Sequence, residues 1–157
     1  MNIGIVGHAA DKFTPETEKE ARRIIFSLLE NGEDSTVVSG ACHLGGVDIW
    51  AEWQADAFGL PKIIHPPATH AWATGYKPRN LLIARDSDEV HVIVVREYPP
   101  EYSGMRFASC YHCHTSTHIK SGACWTARQA MKLGKRAVWH EITTSEPKAK
   151  VTSSAGM

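Results

Sequence analysis

The chain has 157 residues, with 17 basic and 17 acidic side chains. This length favours one domain that buries roughly two-thirds of its unfolded surface. The balanced charge excludes a global positive field that would attract nucleic acid or an anionic membrane. No apolar run approaches the ~20 residues of a membrane span, and the N-terminus enters a strand pattern rather than a signal peptide. We therefore expect a cytoplasmic protein with no membrane partner.

The first third of the chain predicts two strands, each followed by a helix. Residues 2–7 form an apolar run that ends in glycine, as in a buried strand. Thr14 is the predicted N-cap of a helix that has Pro15 at its first position. Residues 36–38 predict the second strand, and apolar residues at helical spacing predict a second helix that Gly59 ends.

The remaining two-thirds predicts three further strands and two helices. Residues 62–65 form a short third strand, and a short helix runs from Arg79 to Arg85 after a loop. Residues 89–95 are nearly continuous in β-branched side chains, which is typical of the interior of a parallel sheet. A helix from Trp125 to Leu133 and a strand from Arg136 to His140 complete the pattern.

Strands and helices alternate throughout, which predicts a doubly wound parallel α/β sheet of about five strands in three α/β/α layers. We expect one nucleotide-binding domain over residues 1–142, with residues 96–121 as a loop insertion and residues 143–157 as a flexible tail. The long connections, 66–77 and 96–121, both follow strands. They therefore lie at the carboxyl edge of the sheet, where such folds bind ligands.

Two glycine-bearing turns lie between a strand and a helix. The first contains three glycines: Gly40, Gly45 and Gly46. Glycines let the backbone approach a phosphate, and a helix N-terminus supplies free N–H groups and a positive dipole. The second turn is Ser121-Gly122, from which the hydroxyls of Ser121 and Thr126 can reach an anion. An ordinary strand-to-helix turn without a ligand is the alternative for either one.

These motifs resemble, in order and spacing, the SLOG superfamily of Rossmann-like proteins, which includes the lonely-guy phosphoribohydrolases and the DNA-processing proteins of natural transformation. The matching segments are Pro78–Ala84, Ser87–Asp88, Ser121–Gly122, Trp125–Ala127 and Gly134–Lys135, with Gly40, Gly46, Asp48 and Ala51 in the first glycine motif. The resemblance covers roughly residues 2–140. It implies a Rossmann-like fold and a site for a nucleotide or a nucleotide-derived ligand. It implies no single reaction, because members hydrolyse N-glycosidic bonds, sense signalling nucleotides or hold single-stranded DNA.

The predicted ligand site combines both turns with the first strand end and the third helix. Its residues are Gly7, His8, Gly40, Ala41, Gly45, Gly46, Arg79, Asn80, Ser121, Gly122 and Thr126. Arg79 matches the arginine that positions phosphate and substrate in the family. Trp72 and Tyr76 lie in the loop before Arg79, where they can stack on a base or pack against the sheet edge.

Catalysis by the family's usual residues is put in doubt by one segment. The phosphoribohydrolases have a catalytic glutamate in the helical turn that follows the second glycine motif, where this chain has Thr126-Ala127-Arg128-Gln129. Cleavage of a glycosidic bond needs a carboxylate that stabilises an oxocarbenium ion or activates water. Asp48 and Glu52 are the predicted substitutes, with Asp11 as a further alternative.

Soft metal ligands are concentrated between residues 110 and 124. The spacing Cys110-x2-Cys113-x4-His118-x5-Cys124 is close to that of a zinc knuckle. We predict a structural zinc ion that braces the long loop. His112 or His114 is an alternative to His118, and reduced thiols without a metal are the alternative to the whole site.

The leading functional prediction is a small protein of SLOG type that binds a nucleotide or nucleotide derivative and hydrolyses an N-glycosidic bond or senses its ligand. The alternatives are a protein that binds single-stranded nucleic acid through Lys77, Arg79 and stacking aromatics, or a structural zinc-containing interaction module. The near-neutral charge disfavours nucleic acid. Trp50 and Trp53 lie outside the clearest apolar stripe of their helix and predict an exposed subunit interface, hence a homo-oligomer.

Overall fold

The computed structural model describes residues 1–144. The strands are β1 Asn2–Gly7, β2 Thr36–Ser39, β3 Lys62–Ile64, β4 Glu89–Val95 and β5 Arg136–Ile142. The helices are α1 Pro15–Leu29, α2 Val47–Ala57, α3 Lys77–Asp86 and α4 Gly122–Lys132. A 3₁₀ turn, Ala10–Lys12, and a π-helical segment, Trp72–Tyr76, lie between them. Apart from its first two residues, the predicted tail over 143–157 lies outside the described residues.

The five strands form one parallel sheet in the order β3-β2-β1-β4-β5. Strand β1 lies in the centre, and the chain builds outward first to one side and then to the other. The order therefore reverses between β1 and β4, which opens a crevice at the carboxyl ends of these strands. The predicted doubly wound Rossmann-like α/β fold is confirmed.

The strands alternate their side chains between two buried faces, because successive residues of a strand point to opposite sides. One face packs Ile5, Val37 and Ile93 with residues of α1 and α2. The opposite face packs Val38 and Val92 with residues of α3 and α4. Helices thus cover both faces, as the near-continuous apolar strand β4 predicts.

Helix α1 begins where its capping residues predict. The backbone N–H of Thr17 donates to Thr14 Oγ1 at 3.1 Å, and the N–H of Thr14 donates to Thr17 Oγ1 at 2.8 Å. Threonine therefore takes the place that glutamate or glutamine usually has in a capping box. Pro15, at the first position, has no N–H that would need a partner.

The position predicted for Trp50 is wrong. Its side chain is 6% exposed and packs edge-to-face on Phe13, with ring centroids 4.9 Å apart. Trp50 is three residues from Val47, so it lies on the same side of α2, and the buried face of the helix is wider than one narrow stripe. Trp53 is 55% exposed as predicted. The homo-oligomer remains a prediction that now depends on one tryptophan.

The remaining differences concern the ends of elements. Residues 72–76 form a π-helical segment that continues into α3, where the sequence predicted a loop. Helix α4 starts three residues earlier than predicted because Ser121 Oγ caps it, accepting from the N–H of Ala123 at 3.1 Å.

Among the described residues, no helix combines the length and the apolar character that crossing a membrane requires.

The insertion, residues 96–121, leaves the sheet and returns to it at almost the same place. The N–H of Arg96 donates to the carbonyl of Ile142 at 2.8 Å, and the N–H of Ile119 donates to the carbonyl of Val95 at 3.1 Å. Both contacts lie at the carboxyl ends of β4 and β5. The insertion therefore extends over the crevice, beside the point where the strand order reverses.

Candidate functional site

A cavity of about 700 Å³ lies at the carboxyl edge of the sheet. The predicted ligand residues that line it are Gly7, His8, Arg79, Asn80, Ser121, Gly122 and Thr126, together with the predicted catalytic residue Asp48. Four predicted residues of the first glycine turn, Gly40, Ala41, Gly45 and Gly46, and the predicted catalytic Glu52 are not among the lining residues. The structure thus brings the β1 end, α3 and the second glycine turn around one space.

Arg79 is held in place at the wall of this cavity. Its Nε donates to Asn80 Oδ1 at 2.7 Å, and its Nη1 donates to the carbonyl oxygen of Gly40. The guanidinium carbon lies 5.6 Å from the centre of the Tyr76 ring. A Cβ atom at Gly40 would lie 2.8 Å from Arg79 Cζ, so the missing side chain makes room for the guanidinium. Gly40 therefore acts by accommodating and binding Arg79.

The first glycine turn packs against protein backbone. Gly46 has a φ of 92°, and a Cβ atom there would lie 2.6 Å from the backbone nitrogen of Ala10. The N–H of Val47, the first of α2, donates to the carbonyl of His8 at 3.2 Å. Glycine is therefore required at Gly46 by the close approach of the chain that follows β1. The part of this turn that lines the cavity is Cys42.

The second glycine turn is open to the cavity. A Cβ atom at Gly122 would meet nothing within 4 Å. Two N–H groups at this end of α4 already have partners, since the N–H of Ala123 donates to Ser121 Oγ and that of Cys124 donates to the carbonyl of Ser121. The helix dipole is positive at this end. Gly122 starts α4 and lines the cavity, so this turn leaves space for an anion next to a helix N-terminus.

His8 is a neutral residue that joins three segments of the site. Its Nδ1 accepts from the N–H of Val95 at 3.1 Å, so the proton is on Nε2, which donates to the carbonyl of Lys120 at 3.1 Å. Burial lowers the pKa of His8 to about 3. Both ring nitrogens are thus engaged in fixing the ends of β1 and β4 against the insertion.

Asp48 is the one acidic side chain among the described residues that line the cavity. Its carboxyl is buried, and this burial raises its pKa to about 6 against the attraction of the Arg79 guanidinium. Glu52 has a different environment, since its Oε2 accepts from Ser39 Oγ at 2.7 Å. Of the two predicted catalytic carboxyls, only Asp48 faces the space that a ligand can occupy.

Aromatic rings form much of the cavity wall. The seven rings are Trp72, Tyr76, Tyr98, Tyr102, Phe107, Tyr111 and Trp125. Lys12 Nζ lies 4.9 Å from the centre of the Tyr102 ring, and Lys120 Nζ lies 5.6 Å from that of Phe107. Sequence reasoning identified Trp72 and Tyr76 but missed the rings of the insertion. Their only signal is the density of aromatic residues between positions 98 and 111.

The predicted metal ligands come together beside this wall. Single ligand atoms of Cys110, Cys113, His118 and Cys124 all lie within 4.8 Å of one another. Tetrahedral zinc with Zn–S bonds of about 2.3 Å places its ligand atoms about 3.5–4 Å apart. The four donors are therefore compatible with a structural zinc site. His118 is the imidazole of the group, to which neither His112 nor His114 belongs.

Neighbouring groups orient these donors. Glu141 Oε2, on β5, accepts from His118 Nδ1 at 2.6 Å, which leaves Nε2 facing Cys124 Sγ at 3.4 Å. Carboxylates commonly hold zinc-binding histidines in this way. Trp139 Nε1 donates to Cys124 Sγ at 3.4 Å. Burial raises the pKa of the Cys124 thiol, whereas at Cys110 nearby backbone N–H groups outweigh burial and lower the pKa of that thiol.

The fold and the site together define a Rossmann-like α/β protein with a cavity at the reversal of strand order and a cluster of three cysteines and one histidine. No family model and no curated protein matches the chain. Its fold is similar to that of DNA processing protein A from Streptococcus pneumoniae, with a TM-score of 0.55 and 15% sequence identity. The match covers 87% of this chain and 49% of the other, so the chain spans about half the length of that protein. At this identity the likeness shows a distant relationship of fold alone.

Proposed function

We propose that the protein binds a nucleotide or a nucleotide-derived small molecule in the cavity at the carboxyl edge. The observation that carries this proposal is the combination of aromatic rings with Arg79, Lys12 and Lys120 around one space of about 700 Å³. Pockets of roughly 300–1,000 Å³ are typical of small-ligand sites. The proposal treats residues 1–142 as one nucleotide-binding domain.

The two kinds of lining group suit the two ends of a nucleotide. Aromatic faces bind a base by stacking, and this contact does not depend on which hydrogen-bond donors and acceptors the base carries. Cationic side chains, and the positive end of the α4 dipole beside the open space at Gly122, favour phosphate. The distant likeness to a DNA-processing protein supports a nucleic-acid-related ligand. The absence of net charge on the chain favours a small molecule over an extended nucleic-acid strand.

We further propose that Cys110, Cys113, His118 and Cys124 hold a structural zinc ion. The donor set of three thiolates and one imidazole is one that zinc occupies in tetrahedral structural sites. The short spread of the four ligand atoms, within 4.8 Å, suits one ion. The Glu141 carboxylate, bound to His118, adds a supporting contact of the kind found around such sites.

Calorimetry tests the binding proposal with AMP, ADP, NAD and a single-stranded DNA oligonucleotide as separate ligands. We expect a nucleotide to bind and Arg79→Lys to weaken binding by about 1–3 kcal/mol, because lysine lacks the planar fork of the guanidinium. Arg23→Lys is the matched control, since Arg23 pairs with Glu20 on the exposed face of α1. Binding of the oligonucleotide alone would favour the nucleic-acid alternative, and binding of none would refute the proposal.

Hydrolysis of an N-glycosidic bond is a second candidate function, favoured by the position of Asp48. A buried carboxyl with its pKa raised to about 6 can exchange a proton near neutral pH, as a general acid or base must. Water would add to the sugar carbon while the base leaves with a proton. Chromatography for released base tests this, with Asp48→Asn expected to bind ligand without cleaving it. Absence of released base from any bound nucleotide restricts the protein to binding.

A further inference from the structure

The metal donors and one wall of the cavity alternate along the same stretch of chain. Between the first two cysteine donors lie Tyr111 and His112, which line the cavity. On either side of Cys124 lie Ala123 and Trp125, which line it as well. Each cysteine donor therefore fixes the backbone from which a neighbouring side chain reaches the ligand space.

Residues 110–115, the hairpin part of this wall, are held by few other contacts. Between β4 and α4 the only ladder pairing among the described residues is the isolated bridge between Cys110 and Thr115. The hairpin that it closes contains His114 at a φ of 55°, a left-handed conformation that L-residues rarely adopt. Tyr111, near the start of the hairpin, is 55% exposed. Beyond Cys110, which is buried, burial and backbone pairing thus contribute little to the order of this hairpin.

The buried and the exposed parts of the wall meet at the metal donors. Cys110 and Cys124 belong to the core on one face of the sheet, while Cys113 is only partly buried. An ion shared by these thiols joins the hairpin to α4, and His118 adds β5 through Glu141. Metal binding drives the folding of small zinc-dependent domains outright, so it stabilises a segment far more than two backbone hydrogen bonds do.

We propose that metal occupancy of this centre orders the wall formed by residues 110–126 and thereby sets the affinity of the cavity for its ligand. The inference rests on the proposed nucleotide site and adds its regulation. A ligand that binds the ordered wall does not bear the cost of ordering it, so metal and ligand favour each other. Coupling of this kind changes affinity by about 5–150-fold and is reciprocal, so a bound nucleotide also raises the affinity for the metal by the same factor.

Hydrogen exchange read by mass spectrometry tests the ordering of the wall without any ligand. The samples are metal-loaded protein, protein treated with EDTA, and the Cys113→Ser variant. His114→Asn is the control: it removes a histidine from the same hairpin, asparagine tolerates the left-handed conformation, and His114 is not a metal donor. We expect faster exchange over residues 110–126 after EDTA treatment and in Cys113→Ser, with the sheet unchanged and His114→Asn like the parent protein.

The inference is overturned if elemental analysis finds no stoichiometric metal in protein purified without chelator. It is also overturned if EDTA does not change the exchange of residues 110–126, or if EDTA unfolds the sheet together with the wall. Calorimetry with AMP then measures the coupling, for which we expect affinity at least about fivefold lower without metal. Equal AMP affinity with and without metal also overturns the inference. AMP binding to neither form counts against the proposed nucleotide site, while the exchange result still decides whether metal orders the wall.

Discussion

Asp48→Asn is expected to make the protein more stable at neutral pH, although it removes a charged group from the candidate site. The pKa of the buried Asp48 carboxyl is raised from 3.8 to about 6, chiefly by burial. One pKa unit corresponds to about 1.4 kcal/mol, so keeping this carboxylate ionised costs the folded state about 3 kcal/mol above pH 7. Asparagine resembles the protonated acid and avoids that cost.

The sign of the pH dependence follows from where the proton is bound. Between pH 4 and pH 6 the folded protein holds a proton on Asp48 that the unfolded chain has lost. The Asp48 contribution to the free energy of unfolding therefore falls as pH rises through this window. The advantage of Asp48→Asn should grow from about 1 kcal/mol at pH 4.5 to about 3 kcal/mol at pH 7.5.

Urea unfolding of the parent protein and the variant at several pH values measures this difference directly. Comparing the two proteins cancels the titration of all other groups. Asp34→Asn, at an exposed position, is the matched control and should leave the free energy of unfolding unchanged at each pH. A variant whose advantage is absent, or is the same at pH 4.5 and pH 7.5, would show that burial does not control the ionisation of Asp48.

Three further predictions address the glycine turns, the first helix and the metal centre. Gly122→Val should abolish nucleotide binding in calorimetry with little change in stability, because the valine side chain enters open cavity space. Gly46→Val should instead lower the free energy of unfolding by more than about 2 kcal/mol, because the valine side chain would collide with backbone. Thr14→Ala should cost about 1 kcal/mol in urea unfolding through loss of the N-cap. Glu141→Gln should weaken zinc binding by about tenfold or more in competition with a chromogenic chelator, and unchanged affinity would show that the contact with His118 does not support the metal.

Most of the fold could be predicted because the sequence carries local signals for it. The cap at Thr14, the β-branched run of β4 and the regular alternation of strands and helices each point to the same doubly wound sheet. The burial of Trp50 could not be predicted, because a helix shows which residues share a face but not how wide a face its neighbours cover.

The glycine turns show a different limit of sequence reasoning. Glycine is needed wherever another group approaches the backbone closely, whether that group is a phosphate or another backbone segment. Gly46, which lies against the chain after β1, and Gly122, which borders open space, are therefore alike in sequence and differ only in the folded protein.

The cluster of three cysteines and one histidine could be predicted because its chemistry and spacing are explicit in the sequence. The contact that orients His118 could not, because Glu141 lies on β5, 23 residues further along the chain, and a glutamate on a strand carries no signal for that role. The aromatic wall was missed for a related reason. Irregular segments have no periodicity that would show which side chains converge.

The insertion, residues 96–121, begins and ends at the same place on the sheet, so the sheet does not depend on the length of the insertion. Because the N–H of Ile119 bonds to the carbonyl of Val95, the two ends of the insertion lie side by side, and the residues between them can vary without moving β4 or α4. Loops whose ends meet also change length at little entropic cost. The sheet can therefore keep its architecture while the loop that faces the cavity varies in length and composition. Changes in this one segment can therefore alter which side chains line the cavity, provided that its cysteines still lie beside Cys124 in α4.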